Sequence, residues 1–250
     1  MEQELSLWSA VLLGILILFA ALLYSSVGHA GASGYLAGMA LFGLPPAMMK
    51  PTALALNILV ATIGTIKFAR ADCFSWRLFW PFAVTSVPFA FLGGTLALPV
   101  EVYKRILGLV LLYGAYHLFR HVQASGTNST RVLPIWLGIV LGTAIGFLAG
   151  LTGVGGGIFL TPLLLLMRWA EPRQAAGVSV AFILVNSIAG LSGHLTHAMT
   201  LPAHLPMWAV AAAGGGWVGA ECGSRRFSGP TIRRVLALVL VIAGFKMLLA

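Results

Sequence analysis

The fold is decided by residues 147–162, which read FLAGLTGVGGGIFLTP. Two apolar runs meet there at a glycine cluster that comprises Gly153, Gly155, Gly156 and Gly157. Glycine is a poor helix residue, so the pattern predicts a helix that ends near Gly153 and another that begins near Gly157. The first N–H groups of a helix have no intrahelical partner and carry partial positive charge. The break therefore suits an anion, with a simple turn between helices as the alternative.

The composition around this stretch is typical of an integral membrane protein. Hydrophobic residues make up 59% of the 250 residues and charged residues only 8%, whereas soluble domains have about 45–50% and about 25%. A helix needs about 20 apolar residues to cross a bilayer, so the length allows about ten spans and excludes a separate catalytic, ATP-binding or DNA-binding domain. The net charge of +9 then indicates basic loops on one side of a membrane rather than nucleic-acid binding.

Apolar runs separated by proline, glycine and charge predict an all-α protein. The second and seventh runs are too short to cross a bilayer comfortably and each follows a glycine cluster, so they are predicted to be half-helices or re-entrant segments. The predicted segments are residues 5–24, 31–44, 47–69, 78–98, 102–119, 132–151, 157–167, 174–195, 205–222 and 232–249.

The order of short segment after glycine cluster recurs in each half of the chain. Residues 25–31, SSVGHAG, place Gly28, His29 and Gly31 where the second half has its glycine cluster. The sequence therefore predicts two repeats of about five segments each, residues 1–119 and 132–250, joined by a connector at 120–131. An odd number of crossings inserts the halves in opposite orientations, which predicts a polytopic transmembrane helix bundle of two inverted repeats.

Basic residues concentrate in the loops after the third, fifth, seventh and ninth segments. Because basic loops stay in the cytoplasm, these loops and the connector are predicted to be cytoplasmic. Both termini are then periplasmic, in a multi-pass protein of the bacterial inner membrane. The residues behind this prediction are Lys67, Arg70, Arg77, Arg120, Arg131, Arg168, Arg173, Arg225, Arg226, Arg233 and Arg234.

The acidic residues lie in loops or at segment ends, which disfavours a cation as substrate. His29 is the ionisable residue nearest a glycine break, where it serves either the substrate and its protons or a hydrogen bond between helices. Lys50 lies beside a proline-rich helix start. It either attracts anions at the mouth of a cavity or extends to the membrane surface as a snorkelling lysine.

Amides and hydroxyls inside the predicted spans supply further candidates. Asn57 and Asn186 lie within spans of the two halves, and each is either a hydrogen bond between helices or a substrate ligand. Thr52 and Ser179 are hydroxyl donors that fit an anion path. The sequence contains neither a metal-ligating pattern nor a Ser/His/Asp or Cys/His catalytic set, so it predicts no metal, no cofactor and no enzymatic activity.

Residues 147–162 and 176–190 (AGVSVAFILVNSIAG) resemble the TauE/SafE sulfite exporter family of membrane permeases, and residues 25–31 resemble a weaker copy of the glycine motif. The resemblance covers nearly the whole chain. It implies transport of small sulfur-containing anions, such as sulfite, sulfoacetate or thiosulfate, across the bacterial inner membrane without ATP hydrolysis. His29 and Ala30 interrupt the glycine run in the first half.

The sequence thus predicts a secondary transporter that works by alternating access in a lipid bilayer, with possible proton coupling and no nucleic-acid partner. The anion is held between the two glycine breaks by backbone N–H groups. An anion channel and a non-transporting membrane assembly protein are the alternatives. The predicted binding residues are Gly28, His29, Gly31, Thr52, Asn57, Gly153, Gly155, Gly156, Gly157, Ser179 and Asn186.

Overall fold

The computed structural model describes residues 5–96, 98–120, 131–195 and 201–225, together with residues 241, 244, 245, 248 and 249. Within these residues the chain forms helices and no strands, which confirms the predicted all-α membrane fold. Most of the last predicted segment, 232–249, and most of the connector lie outside the described residues. The helices are α1 Leu7–Ser25, α2 Ala32–Leu41, α3 Pro46–Arg70, α4 Trp76–Thr95, α5 Val100–Arg120, α6 Ile135–Thr152, α7 Gly157–Leu166, α8 Pro172–His194 and α9 Leu205–Arg225.

Five of these helices are long and apolar enough to cross a membrane, by length and composition: α1, α3, α4, α6 and α8. The starts of α3 and α8 follow from their sequences, because each has proline in its first turn, where a missing N–H has no cost. Ser6 caps α1, since its hydroxyl accepts a hydrogen bond from the N–H of Ser9 at 3.3 Å.

The helices α2 and α7 are half-helices of 10 residues each. Such a helix is about 15 Å long, which is half the thickness of a hydrocarbon core. Both begin directly after a glycine with left-handed backbone geometry, Gly31 at φ 111° and Gly156 at φ 85°. A side chain at these positions would be strained, so the glycines fix where the two half-helices begin.

The long helices pack in an exchanged pattern between the two halves of the chain. The fourth helix of the first half, α4, packs along α6 and α8, and its counterpart α9 packs along α1 and α3. The helices α3 and α8 pack against each other. Two inverted repeats are expected to produce this exchange; the repeats and their boundaries stay predictions.

Glycines allow two of these crossings to be very close. On α6, a β-carbon built at Gly142, Gly146 or Gly150 would lie 1.9–2.4 Å from a backbone oxygen of α4. On α9, one built at Gly215 or Gly219 would lie 2.1–2.2 Å from a backbone oxygen of α1. Small residues of this kind let helix backbones approach each other in lipid, where packing drives association.

The described basic loops share one end of the bundle. The N–H of Arg131, before α6, donates to the carbonyl of Arg168, after α7, at 2.7 Å. Near the ends of α3 and α9, Lys67 forms an ion pair with Glu221, and the loop between α3 and α4 packs on the first turns of α8. We call this the basic end and the opposite one the far end; that the basic end is cytoplasmic stays a prediction.

Candidate functional site

A small cavity lies between the two glycine breaks. From this cavity, α7 runs to the basic end and α2 runs to the far end. Each half-helix crosses about half a bilayer, so the cavity lies near the middle of the bundle. Its wall combines the start of α2 with the residues on either side of the second break. The lining residues are Tyr24, His29, Ala30, Gly31, Ala32, Ser33, Val154, Ile158 and Ile183.

Both breaks contain backbone N–H groups without an acceptor in the part of the chain that the structure describes. Among the described residues, the N–H groups of residues 30–34 in the first break and of residues 154–158 in the second donate no hydrogen bond. These residues are buried. A buried N–H without an acceptor is uncommon in proteins, and two helix starts add partial positive charge to the same place. The two helix starts therefore favour negative charge at this cavity.

The second break needs glycine because of both its backbone and its neighbours. Gly153, Gly155 and Gly156 all have φ between 80° and 85°, a conformation that other residues rarely adopt. A β-carbon built on Gly155 would lie 2.8 Å from Nδ2 of Asn57 and 3.0 Å from Oγ of Ser187. The loop thus passes so close to α3 and α8 that no side chain fits at this point.

Asn57 ties the second break to α8. Its Nδ2 donates to the carbonyl of Val154 at 3.4 Å and to Oγ of Ser187 at 3.3 Å. Its Oδ1 is buried and has no hydrogen-bond partner in the described part of the chain. One atom of this amide therefore joins helices, and the other is an unused acceptor in the interior.

A short chain of hydrogen bonds joins the first break to α7 and α8. The hydroxyl of Thr161, in α7, donates to Oγ of Ser179 in α8 at 2.7 Å, and its oxygen lies 3.4 Å from Nε2 of His29. The opposite ring nitrogen of His29 lies 3.3 Å from the carbonyl of Val27. Because the proton of Thr161 is directed to Ser179, Nε2 of His29 acts as donor to Thr161 when it carries a proton.

Two of the predicted binding residues are buried away from the cavity wall. Asn186 donates from Nδ2 to the carbonyl of Phe182 in its own helix at 2.8 Å, and its Oδ1 has no partner among the described residues. The hydroxyl of Thr52 is buried and likewise has no partner there. Neither residue belongs to the cavity lining.

The other predicted residues lie in or beside the site. His29 and Gly31 line the cavity, and the remaining predicted glycines form the turns of the two breaks. Asn57 is one contact away, through Val154, and Ser179 is two contacts away, through Thr161 and His29. Tyr24, Ser33 and Ile183 also line the cavity and were not predicted. Ser33 could have been found, because its hydroxyl lies in the first turn after Gly31. Ile183 could not, because an apolar residue inside an apolar span gives no signal.

Lys50 does not extend to the membrane surface, so the snorkelling alternative is wrong. Its side chain is buried, with 5% of the residue exposed. The ammonium donates to the carbonyls of Gly93 at 3.3 Å and Gly94 at 3.1 Å, at the end of α4.

The acid and metal chemistry of the described residues is sparse. No carboxylate lines the cavity. No group of three His, Cys, Asp or Glu residues is arranged to hold a metal ion in the ranges that the structure describes. The acidic residues that form ion pairs there are Glu221 and Glu101, and both lie outside the cavity.

These features define a class of protein. Two half-helices that begin beside one cavity and run to opposite ends of the bundle resemble the arrangement in which membrane transporters bind a substrate between discontinuous helices. The chain is a multi-pass membrane protein of this class.

Comparison with known proteins identifies the family. The model of the family described as sulfite exporter TauE/SafE matches residues 13–247, and the chain belongs to this family of membrane transporters. A "probable membrane transporter protein" of Sinorhizobium fredii, y4hK, is 41% identical over 242 residues, covering 96% of this chain and 98% of the relative. YjnA of Bacillus subtilis, with the same description, is 24% identical over 258 residues, covering 96% of this chain and 99% of the relative. No solved structure matches the chain.

Proposed function

We propose that this protein is a secondary transporter of a small sulfur-containing anion such as sulfite, sulfoacetate or thiosulfate, and not an enzyme. One observation carries the proposal: two breaks whose N–H groups at residues 30–34 and 154–158 donate no hydrogen bond among the described residues meet at one cavity, and its lining contains no carboxylate. The description of the family, sulfite exporter, supports a sulfur oxyanion as the substrate.

The chemistry of the cavity suits an oxyanion. Its oxygens accept hydrogen bonds, and the two breaks offer N–H donors together with the hydroxyl of Ser33 and the imidazole of His29. Hydrogen bonds to a charged acceptor are shorter and stronger than neutral ones, and they strengthen further away from water. A bound cation would face the positive ends of two helices instead.

The path of the anion follows from the two half-helices. In one state the cavity opens along α2 to the far end, and in the other along α7 to the basic end. We place the far end and both termini in the periplasm and the protein in the bacterial inner membrane, because the basic loops then lie in the cytoplasm. The exchanged packing of α4 with α6 and of α9 with α1 supports two inverted repeats that rock against each other.

Proton coupling, if it accompanies transport, is assigned to His29. It is the titratable group of the cavity whose charge changes near neutral pH, and its neighbours Thr161 and Ser179 are neutral. A protonated imidazole adds positive charge beside the anion, so proton and anion move together.

The test is flux through purified protein in liposomes. Uptake of labelled sulfite, thiosulfate, sulfoacetate and sulfate is measured with and without a proton gradient, and protein-free liposomes serve as the control. We expect saturable uptake of at least one sulfur anion and exchange against unlabelled anion inside. Non-saturating flux without exchange indicates a channel. No flux by protein that is monodisperse and helical contradicts transport and favours the assembly alternative.

A further inference from the structure

Lys50 carries a charge that the described part of the chain does not compensate. The two carbonyls that it contacts are among the last carbonyls of α4, which have no partner within their own helix. A helix end bears only partial negative charge. The ion pairs of the described residues join Lys67 to Glu221 and Lys104 to Glu101, and Lys50 has no carboxylate partner there.

A buried lysine of this kind is costly inside a membrane protein. Removing an ammonium from water is unfavourable, and a close opposite charge is needed to offset that cost. Ionisable residues within membrane helices are accordingly rare and mark the paths of substrates and ions. An anion that binds nearby would supply the missing counter-charge.

Lys50 lies against the second break. A β-carbon built on Gly153 would be 3.2 Å from Cγ of Lys50 and 3.3 Å from its Cα. Asn57 follows about two turns later on the same face of α3 and contacts Gly155. The helix therefore presents first a charge and then an amide along the loop that holds the unused N–H groups.

The equivalent position in the second half has no charge. Lys50 and Ala176 stand at the same distance from the proline that begins their helices, α3 and α8. Ala176 packs on Gly28 in the first break, where a β-carbon would be 2.4 Å from its Cα, just as Lys50 packs on Gly153. Packing against a glycine break thus requires only a small side chain, and the ammonium of Lys50 is an addition to that role.

We propose that Lys50 supplies the positive charge that an anion meets between the far end and the second break, and that it makes the transporter prefer anions with two negative charges. This inference rests on the proposed function. Because α3 begins at the far end, Lys50 stands on that side of the cavity. A dianion gains more from a nearby ammonium than a monoanion of the same shape, since the attraction scales with the product of the charges.

The wild-type protein provides the first test. Sulfate and methanesulfonate are both tetrahedral, but they carry two charges and one. We expect sulfate to compete with labelled sulfite or thiosulfate at concentrations about tenfold lower than methanesulfonate requires. Equal competition by the two anions overturns the proposal whether or not any variant folds.

The variants Lys50→Gln and Lys50→Arg provide the second test. Glutamine keeps a donor for the carbonyls of α4 but lacks the charge, and arginine keeps the charge. We expect Lys50→Gln to raise the KM for the dianion about tenfold or more and to remove the preference for sulfate over methanesulfonate, whereas Lys50→Arg restores much of it. Lys104→Gln, which removes a surface charge at the same end, serves as the control with unchanged KM.

The two proposals fail in different ways. If wild-type protein transports no anion, the proposed function fails. If wild-type protein transports an anion and Lys50→Gln has the same KM and the same charge preference, only the role of Lys50 is overturned. Thermal unfolding of each variant in detergent is measured beside flux, so that a loss of folded protein is corrected for.

Discussion

The two glycine breaks share a backbone design and differ in where their chemistry is placed. The first break carries its own polar side chains, Ser26 and His29, and faces Ala176 of α8. The second consists of glycines and a valine, and its polar neighbours belong to other helices: Lys50 and Asn57 to α3, and Ser187 to α8. Similar loops in two halves can thus form one site in which the main chain supplies the common donors and the side chains supply the differences.

Main chain and side chains are therefore expected to have different effects on transport. Under the proposed function, the backbone N–H groups account for anion binding in general, because any oxyanion accepts hydrogen bonds from them. The side chains decide which anion and which proton go with it. Substitutions in the second break are therefore expected to have the largest effects, and substitutions behind the first break the smallest.

The largest effect is expected for Gly155→Ala. The added carbon is strained at φ 80° and meets Asn57 at 2.8 Å, so the loop must move and its donors lose their arrangement. We expect flux per folded protein to fall about a hundredfold, with a loss of stability of about 2 kcal/mol. Flux and thermal unfolding are measured together.

Gly43→Ala is the matched control for this substitution. Gly43 has a similar φ of 77°, but nothing lies within 4 Å of a β-carbon built there. It carries the backbone strain without the close contact and lies outside both breaks. An equal loss of flux in the two variants would mean that strain alone, and not the position of the second break, explains the result.

His29→Gln tests what the first break adds. Glutamine retains a hydrogen-bonding group for Thr161 but does not titrate in the neutral range. We expect flux to persist within about fivefold and to lose its response to a proton gradient. The measurement is uptake between about pH 6 and pH 8 with and without the gradient. A wild-type response to the gradient in the variant would assign coupling to another group.

Asn57→Ala tests the tie between the second break and α8. It removes two long hydrogen bonds, to Val154 and Ser187, and we expect stability to fall by about 1–2 kcal/mol. Ser187→Ala and the double variant complete a cycle. Because the two side chains bond to each other, their effects should be less than additive. Additive losses would show that Asn57 acts through Val154 alone.

The smallest effect is expected for the loop between α3 and α4, which contains Cys73. The carbonyl of Cys73 packs on Gly177, next to Ala176. Burial raises the pKa of the Cys73 thiol above its usual value. The positive charge of Arg173 lowers this pKa, and the negative charge of Asp72 raises it further. A raised pKa leaves less thiolate near neutral pH, so Cys73 should react with maleimide several-fold more slowly than a free thiol and faster as pH rises.

The labelling of Cys73 is measured in a Cys222→Ser background, so that a single cysteine remains. Denatured protein gives the reference rate. If Cys73 in folded protein reacts as fast as in denatured protein, the loop does not hold against α8 as described. A rate that changes when an anion is added would reveal movement behind the first break.

The sequence predicts the helices well and the contacts between them poorly. The predicted segment 157–167 differs by one residue from α7, Gly157–Leu166, because a glycine cluster fixes a helix start locally. The facing directions of Thr52 and Asn186 were not predictable in the same way. The helix α8 is buried over 72% of its most apolar window, and a helix that is apolar on all sides has no polar stripe from which to read its orientation.

The environment of Lys50 was likewise not predictable from the sequence. Beside a proline-rich helix start it has the local features of a residue at the membrane surface. Its acceptors, the carbonyls of Gly93 and Gly94, lie more than 40 residues away along the chain. Only the tertiary fold, which brings the end of α4 within reach of the Lys50 side chain, turns this lysine inward.

The glycine stripes of α6 and α9 have a mechanical consequence. Where Gly142, Gly146 and Gly150 face the backbone of α4, no side chain from α6 fits into a notch of its neighbour. Helices whose side chains interlock must move apart before they can slide along each other. Helices that meet along glycines lack this obstacle and can shift by fractions of a turn. The close contacts at these glycines therefore offer little resistance to the sliding that the proposed rocking of one half of the bundle against the other requires.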